Sequence, residues 1–85
     1  MQWKTWLVSI DGHNHKIEVE WWPPFGSGDV YADDQLVYSW PPGLRGMPGK
    51  SEFEVYGKPF LLRKKGFVFV EPELYIDGKL IPADK

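Results

Sequence analysis

Cysteine is absent from this chain, so it offers no thiolate nucleophile, no disulfide framework and no Cys-based zinc site. No run approaches the roughly 18 apolar residues of a membrane-spanning helix. The opening M-Q-W-K-T-W-L-V-S-I-D lacks the apolar segment and cleavage site of a secretory signal, which makes the cytoplasm the expected location. Neither sign of charge dominates: ten Lys and Arg stand against twelve Asp and Glu, scattered along the sequence, for a net charge of -2. A nucleic-acid binder carries a basic footprint, and the sole local concentration here, Arg63-Lys64-Lys65, reads as a solvated turn before Gly66. Neither nucleic acid nor a membrane is therefore an expected partner. Helical periodicity is missing as well.

Aromatic residues are abundant instead, with five Trp, five Phe and four Tyr among 85 residues. A chain this short forms one domain, expected over residues 1–85, and buries only roughly 60–65% of the surface its unfolded form exposes. Each ring can bury on the order of 150–250 Å², so a few of them can dominate the core.

Alternation at period two recurs from end to end, the signature of half-buried strands. Lys4 to Ile10 places Trp6, Val8 and Ile10 on one face, and after the turn Asp11-Gly12-His13-Asn14 the run Lys16 to Trp22 sets Ile17, Val19 and Trp21 against Lys16, Glu18 and Glu20. Asp29 to Ala32 and Gln35 to Trp40 flank Asp33-Asp34, a pair suited to a tight turn because short Asp side chains bond nearby backbone groups. Ser51 to Tyr56 offers Phe53 and Val55 to a core, and Gly57-Lys58-Pro59 separates it from Phe60 to Arg63. Gly66 to Val70 is apolar on both faces and reads as a central strand. Glu73 to Ile76, the turn Asp77-Gly78-Lys79 and Leu80-Ile81 complete the series. The fold class is all-β, a compact antiparallel β-sandwich of about eight short strands.

Several of these segments follow a familiar order. Trp6-Leu7-Val8 with Asp11-Gly12 and His15-Lys16-Ile17-Glu18-Val19-Glu20 comes first, then Gly28-Asp29-Val30-Tyr31 before an acidic turn, Phe53-Glu54-Val55-Tyr56-Gly57-Lys58, and Leu74-Tyr75-Ile76-Asp77-Gly78-Lys79. Together they span nearly the whole chain, and in that order it resembles one domain of the Fas apoptosis inhibitory molecule family. The resemblance implies a compact antiparallel β-sandwich and a non-enzymatic role. The animal members carry two such domains, protect cells from death-receptor killing and are linked to suppressing protein aggregation. Two departures stand out: Asp34 replaces the usual Gly, and the Trp-Pro-Pro loops are unlike the family pattern.

Chemistry has few candidates. Asp11, His13 and His15 hold the chain's two imidazoles on one side of an extended segment, but no third His exists, and Asp, Gly and Asn suit a hairpin turn for backbone reasons. No metal or cofactor is expected. The pairs Glu18 and Glu20, Glu52 and Glu54, and Glu71 and Glu73 fall at i, i+2 and read as solvated strand faces rather than carboxyls opposed across a cleft. With no nucleophile elbow or phosphate loop either, the chain is expected not to be an enzyme.

The most distinctive words are E-W-W-P-P-F-G-S-G-D and S-W-P-P-G-L-R-G-M-P-G-K. Proline holds the preceding Trp22 and Trp40 extended. Loops leaving one end of the sandwich would group Trp22, Phe25, Trp40, Leu44 and Met47 into an apolar contact surface, with Arg45 adding a polar or cation-π contact. The competing reading folds these tryptophans over the core as plugs. A protein partner or self-association, including a homodimer, is the expected use of such a surface; the alternative is a carbohydrate-binding module whose Trp rings stack on sugars. A small hydrolase or metal enzyme built on Asp11, His13 and His15 is the rival from another class.

Overall fold

The structure, a computed structural model, describes residues 1–23, 26–43, 46–66 and 70–84. Eight strands appear among them: β1 (Gln2–Ile10), β2 (His13–Trp21), β3 (Gly28–Ala32), β4 (Gln35–Trp40), β5 (Lys50–Val55), β6 (Lys58–Lys65), β7 (Glu71–Ile76) and β8 (Lys79–Ile81). They form two four-stranded antiparallel sheets, β1-β2-β3-β4 and β5-β6-β7-β8, each a simple meander.

Odd-to-even connections are all tight. Asp11-Gly12, Asp33-Asp34, Tyr56-Gly57 and Asp77-Gly78 each hold two consecutive positive φ angles. That is the type I′ geometry whose twist matches the flanking strands. At three of the four turns a glycine takes the second position. Asp33 and Asp34 adopt φ of 49° and 68° without one. Asp tolerates the left-handed region because its short side chain bonds locally. Even-to-odd connections are longer and leave the opposite end, a consequence of antiparallel meander order. Trp22 and Trp40 therefore begin connections that leave the same end of the first sheet.

The core is built from alternate strand positions: Trp6, Val8 and Ile10 from β1, Ile17, Val19 and Trp21 from β2, Val30 and Ala32 from β3, Phe60 and Leu62 from β6, and Leu74 from β7 are all buried. Tyr38 stacks on Phe53 across the sheets at 5.0 Å between ring centroids. Lys4 ties β1 to β7 through Glu71 Oε1 at 2.6 Å and the Pro72 carbonyl at 3.0 Å.

Several sequence expectations need correction, and among them Lys58 and Pro59 open β6 and Lys79 opens β8 instead of lying in the turns before them. Asp11-Gly12 alone forms the first turn, and His13 and Asn14 already pair in β2 opposite Ile10 and Ser9. Arg63-Lys64-Lys65 is strand rather than turn, since inward alternation from Phe60 and Leu62 continues to a half-buried Lys64, whose backbone N–H donates to Gly49 at 2.9 Å. Gly66 and Val70 lie outside the strands, while Phe67 to Phe69 fall outside the described residues; the interior strands of the second sheet are β6 and β7.

Candidate functional site

The cluster expected at the Trp-Pro-Pro end divides. Trp40 is only 4% exposed and Met47 is likewise buried in the core, whereas Trp22 is 56% exposed. Phe25, Leu44 and Arg45 lie outside the described residues. Trp40 therefore acts as a plug, and an exposed surface uniting it with Trp22 and Met47 is not what the chain builds. The physical reason is register. Trp40 ends β4 on the inward side, opposite Gly28, and the missing Gly28 side chain leaves room for the indole. Trp22 follows the inward Trp21, so the pleat turns it outward. Its loop is closed by the Trp22 N–H donating to Ser27 at 3.1 Å and the Gly26 N–H donating to Trp22 at 2.7 Å.

The histidine segment does not assemble as a metal site either. His15 Nδ1 donates to Asp33 Oδ2 at 2.6 Å, and the Tyr56 hydroxyl donates to the same oxygen at 2.6 Å. The Lys16 N–H donates to Asp33 Oδ1 at 2.9 Å, and the Tyr56 ring stacks on His15 at 4.1 Å. The hydrogen bonds from Tyr56, Lys16 and His15 hold the Asp33 carboxyl at about 2. This arrangement clips the first sheet to the β5–β6 turn of the second. Among the described residues no three His, Asp or Glu side chains converge in a metal-ligating group. His13 is exposed, and Asp11 occupies the first turn.

The outer face of the first sheet is the more informative surface. Cross-strand pairing lays down the row Trp3, Glu20, Asp29, Ser39 and beside it the row Thr5, Glu18, Tyr31, Leu36. Trp3 is 64% exposed, and Leu7, Trp22 and Leu36 are also more than half exposed. Trp22 lies two positions beyond Glu20, the partner of Trp3, just past the end of β2. Leu36 reaches this face through a β-bulge. Val30 pairs with Tyr38 but Tyr31 pairs with Leu36, which leaves Val37 as the extra residue. Plain alternation would have turned Leu36 inward with Tyr38 and Trp40.

The electrostatics of the face are one-sided. Glu18, Glu20 and Asp29 have no ion-pair partner among the described residues, while Lys16 is occupied by Asp34 at 2.9 Å. The Tyr31 hydroxyl is pushed above its usual range by partial desolvation and then by the carboxylates of Asp29, Glu20 and Glu18. On the second sheet a shallow groove of about 470 Å³ runs over Pro59, Leu61 and Tyr75, rimmed by Glu52 and Glu54.

The sequence pattern did carry a signal for Trp3 and Leu7. They are large apolar residues at odd positions of a strand whose even positions already fill the core. Compared with protein-family models, curated proteins and solved structures, the chain matches none. No helix among the described residues is long and apolar enough to cross a membrane.

Proposed function

We propose that this chain is a non-catalytic binding or scaffold module of the cytoplasm, similar to one domain of the Fas apoptosis inhibitory molecule family, with a protein as its partner. Its contact surface is the outer face of the first sheet, and one observation carries that assignment: Trp3, Leu7, Trp22 and Leu36 stand exposed around Glu18, Glu20 and Asp29. Displaying rings that could have entered a small core leaves stability unused, and grouped apolar exposure marks contact sites. The buried Trp40 and Met47 support this surface from below instead of touching a partner.

A carbohydrate-binding module is the second reading, because Trp3 and Trp22 are both exposed, with Glu20 and Asp29 able to accept hydroxyl hydrogen bonds. Peptide-display selection against the immobilised domain, repeated with the Trp3→Ala/Trp22→Ala variant, tests the proposal. The expected ligands bind the parent protein, lose binding to the variant, and shift backbone resonances of β1, β2 and β3. Ligands that map to the second sheet, or that ignore the substitutions, overturn it; binding confined to a glycan panel favours the second reading.

A further inference from the structure

Glu20 and Asp29 are directly opposed on neighbouring strands, and like charges so placed weaken a sheet. Glu18 adds a third carboxylate on the same face, so the acidic side chains form a continuous strip between Trp3, Tyr31 and Leu36. Five other acids, Asp33, Asp34, Glu71, Glu73 and Asp77, have cationic or histidine partners, while Asp11, Glu52, Glu54 and Asp84 have none among the described residues. The strip sets three carboxylates without an ion-pair partner among the described residues beside the exposed Trp3, with Lys16, already bonded to Asp34, a cation that also acts on Glu18.

Deepening the contact surface proposed above, on which this step rests, we infer that the face docks an extended protein segment carrying Lys or Arg at alternate positions. The spacing fits. Side chains at i and i+2 of an extended chain repeat every 6.6–6.8 Å or so, the same interval that separates Glu18 from Glu20 along β2. Each cation meets a carboxylate on one side and an aromatic face on the other: Trp3 or Trp22 near Glu20, Tyr31 beside Glu18. Arginine suits both contacts best, since its planar guanidinium pairs with carboxylate and stacks on rings. A second copy of this chain is a poorer occupant, because a two-fold contact through this face brings two acidic strips together. Phosphate backbones are repelled for the same reason.

The experiment titrates the full chain with a synthetic acetyl-Gly-Arg-Gly-Arg-Gly-Arg-Gly-amide peptide, following tryptophan fluorescence and backbone NMR shifts at low and physiological salt. A peptide with Glu for Arg is the control. Saturable binding that weakens with salt, perturbs Trp3, Glu18, Glu20 and Asp29, and falls about tenfold in a Glu18→Gln/Glu20→Gln/Asp29→Asn variant is the expected result. The three carboxylates are half-buried but make no side-chain hydrogen bond or ion pair among the described residues, so these isosteric substitutions leave the fold intact, which the thermal midpoint checks. Absence of binding to the Arg peptide, or equal affinity in the charge-neutral variant, overturns the inference. If display selection instead yields neutral peptides or glycans whose binding needs Trp3 and Trp22, the cationic partner is refuted while the contact face stands.

Discussion

Replacing Gly28 with alanine tests the packing that supports the proposed face. A Cβ built on Gly28 would lie 2.0 Å from Trp40 Cζ2, 2.2 Å from Cη2 and 2.5 Å from Cε2. Carbon atoms pack at about 3.5–4.0 Å, so the indole must retreat by roughly 1.5 Å. Trp40 is buried within the core cluster, and a retreat disturbs everything around it. Gly28 has no left-handed φ, so the conflict is steric and not one of backbone conformation. Overpacking of this kind costs about 1–3 kcal/mol, and in a domain of this size each kcal/mol lowers the melting midpoint by about 4–8 °C. Thermal unfolding followed by circular dichroism should show a drop on that scale. Trp40→Leu removes the obstructing ring, so a double-mutant cycle should find Gly28→Ala/Trp40→Leu less damaged than the sum of its parts by about 1 kcal/mol or more. An unchanged midpoint in Gly28→Ala, or simple additivity in the cycle, refutes the reasoning.

Indole exchange by NMR should separate the tryptophans into slow Trp6, Trp21 and Trp40, whose ring nitrogens are buried, and fast Trp3 and Trp22. Two substitutions three residues apart on β1 should behave oppositely: Trp6→Ala costs about 3–5 kcal/mol in denaturant melts, and Trp3→Ala stays within about 0.5 kcal/mol. The Asp33 carboxyl is ionised down to about 2 in the folded state against an ordinary 3.8, so its contribution is full above that ordinary value and is lost as pH falls through the folded one. Melting midpoints of the parent and Asp33→Asn should therefore differ at neutral pH and converge in strong acid. Tyr56→Phe removes the largest cause of the depression and should raise the Asp33 titration midpoint seen in carboxyl carbon shifts.

Alternation was enough to find the strands, because Trp6, Val8 and Ile10 of β1 and Ile17, Val19 and Trp21 of β2 alternate with polar or exposed neighbours and the core needs those six. The Asp-Gly turns were equally legible, since few pairs tolerate two positive φ angles in succession. The site was harder to read. Trp22 and Trp40 precede identical Pro-Pro dipeptides, yet one is exposed and the other buried, because Trp40 ends its strand on the inward side opposite Gly28 while Trp22 follows an inward Trp21. Leu36 escaped notice for a related reason: a single bulged residue, Val37, reverses its face, and no local composition announces it. Trp3 and Leu7 were visible as apolar residues on the wrong side of a strand, a weaker cue than the repeated Trp-Pro-Pro that drew attention away from them. His15 meets Asp33 through the pairing of β2 with β3, and Tyr56 reaches them only where the two sheets meet, which sequence spacing does not report.

Every hydrogen-bonded strand pair in the two sheets joins neighbours in the chain. Loop-closure entropy therefore stays small at each step, and such local pairing favours rapid folding. Each sheet can zip from its own type I′ turns before the two apolar faces meet. The segment 41–49 is then the sole covalent link between two structural halves, 2–40 and 50–81, that share a core but no strand ladder. Cutting the chain there leaves both ladders whole, so two fragments divided at Gly43, one carrying Trp40 and the other Met47, should regain the sandwich when mixed, which circular dichroism of the mixture against its separate parts checks.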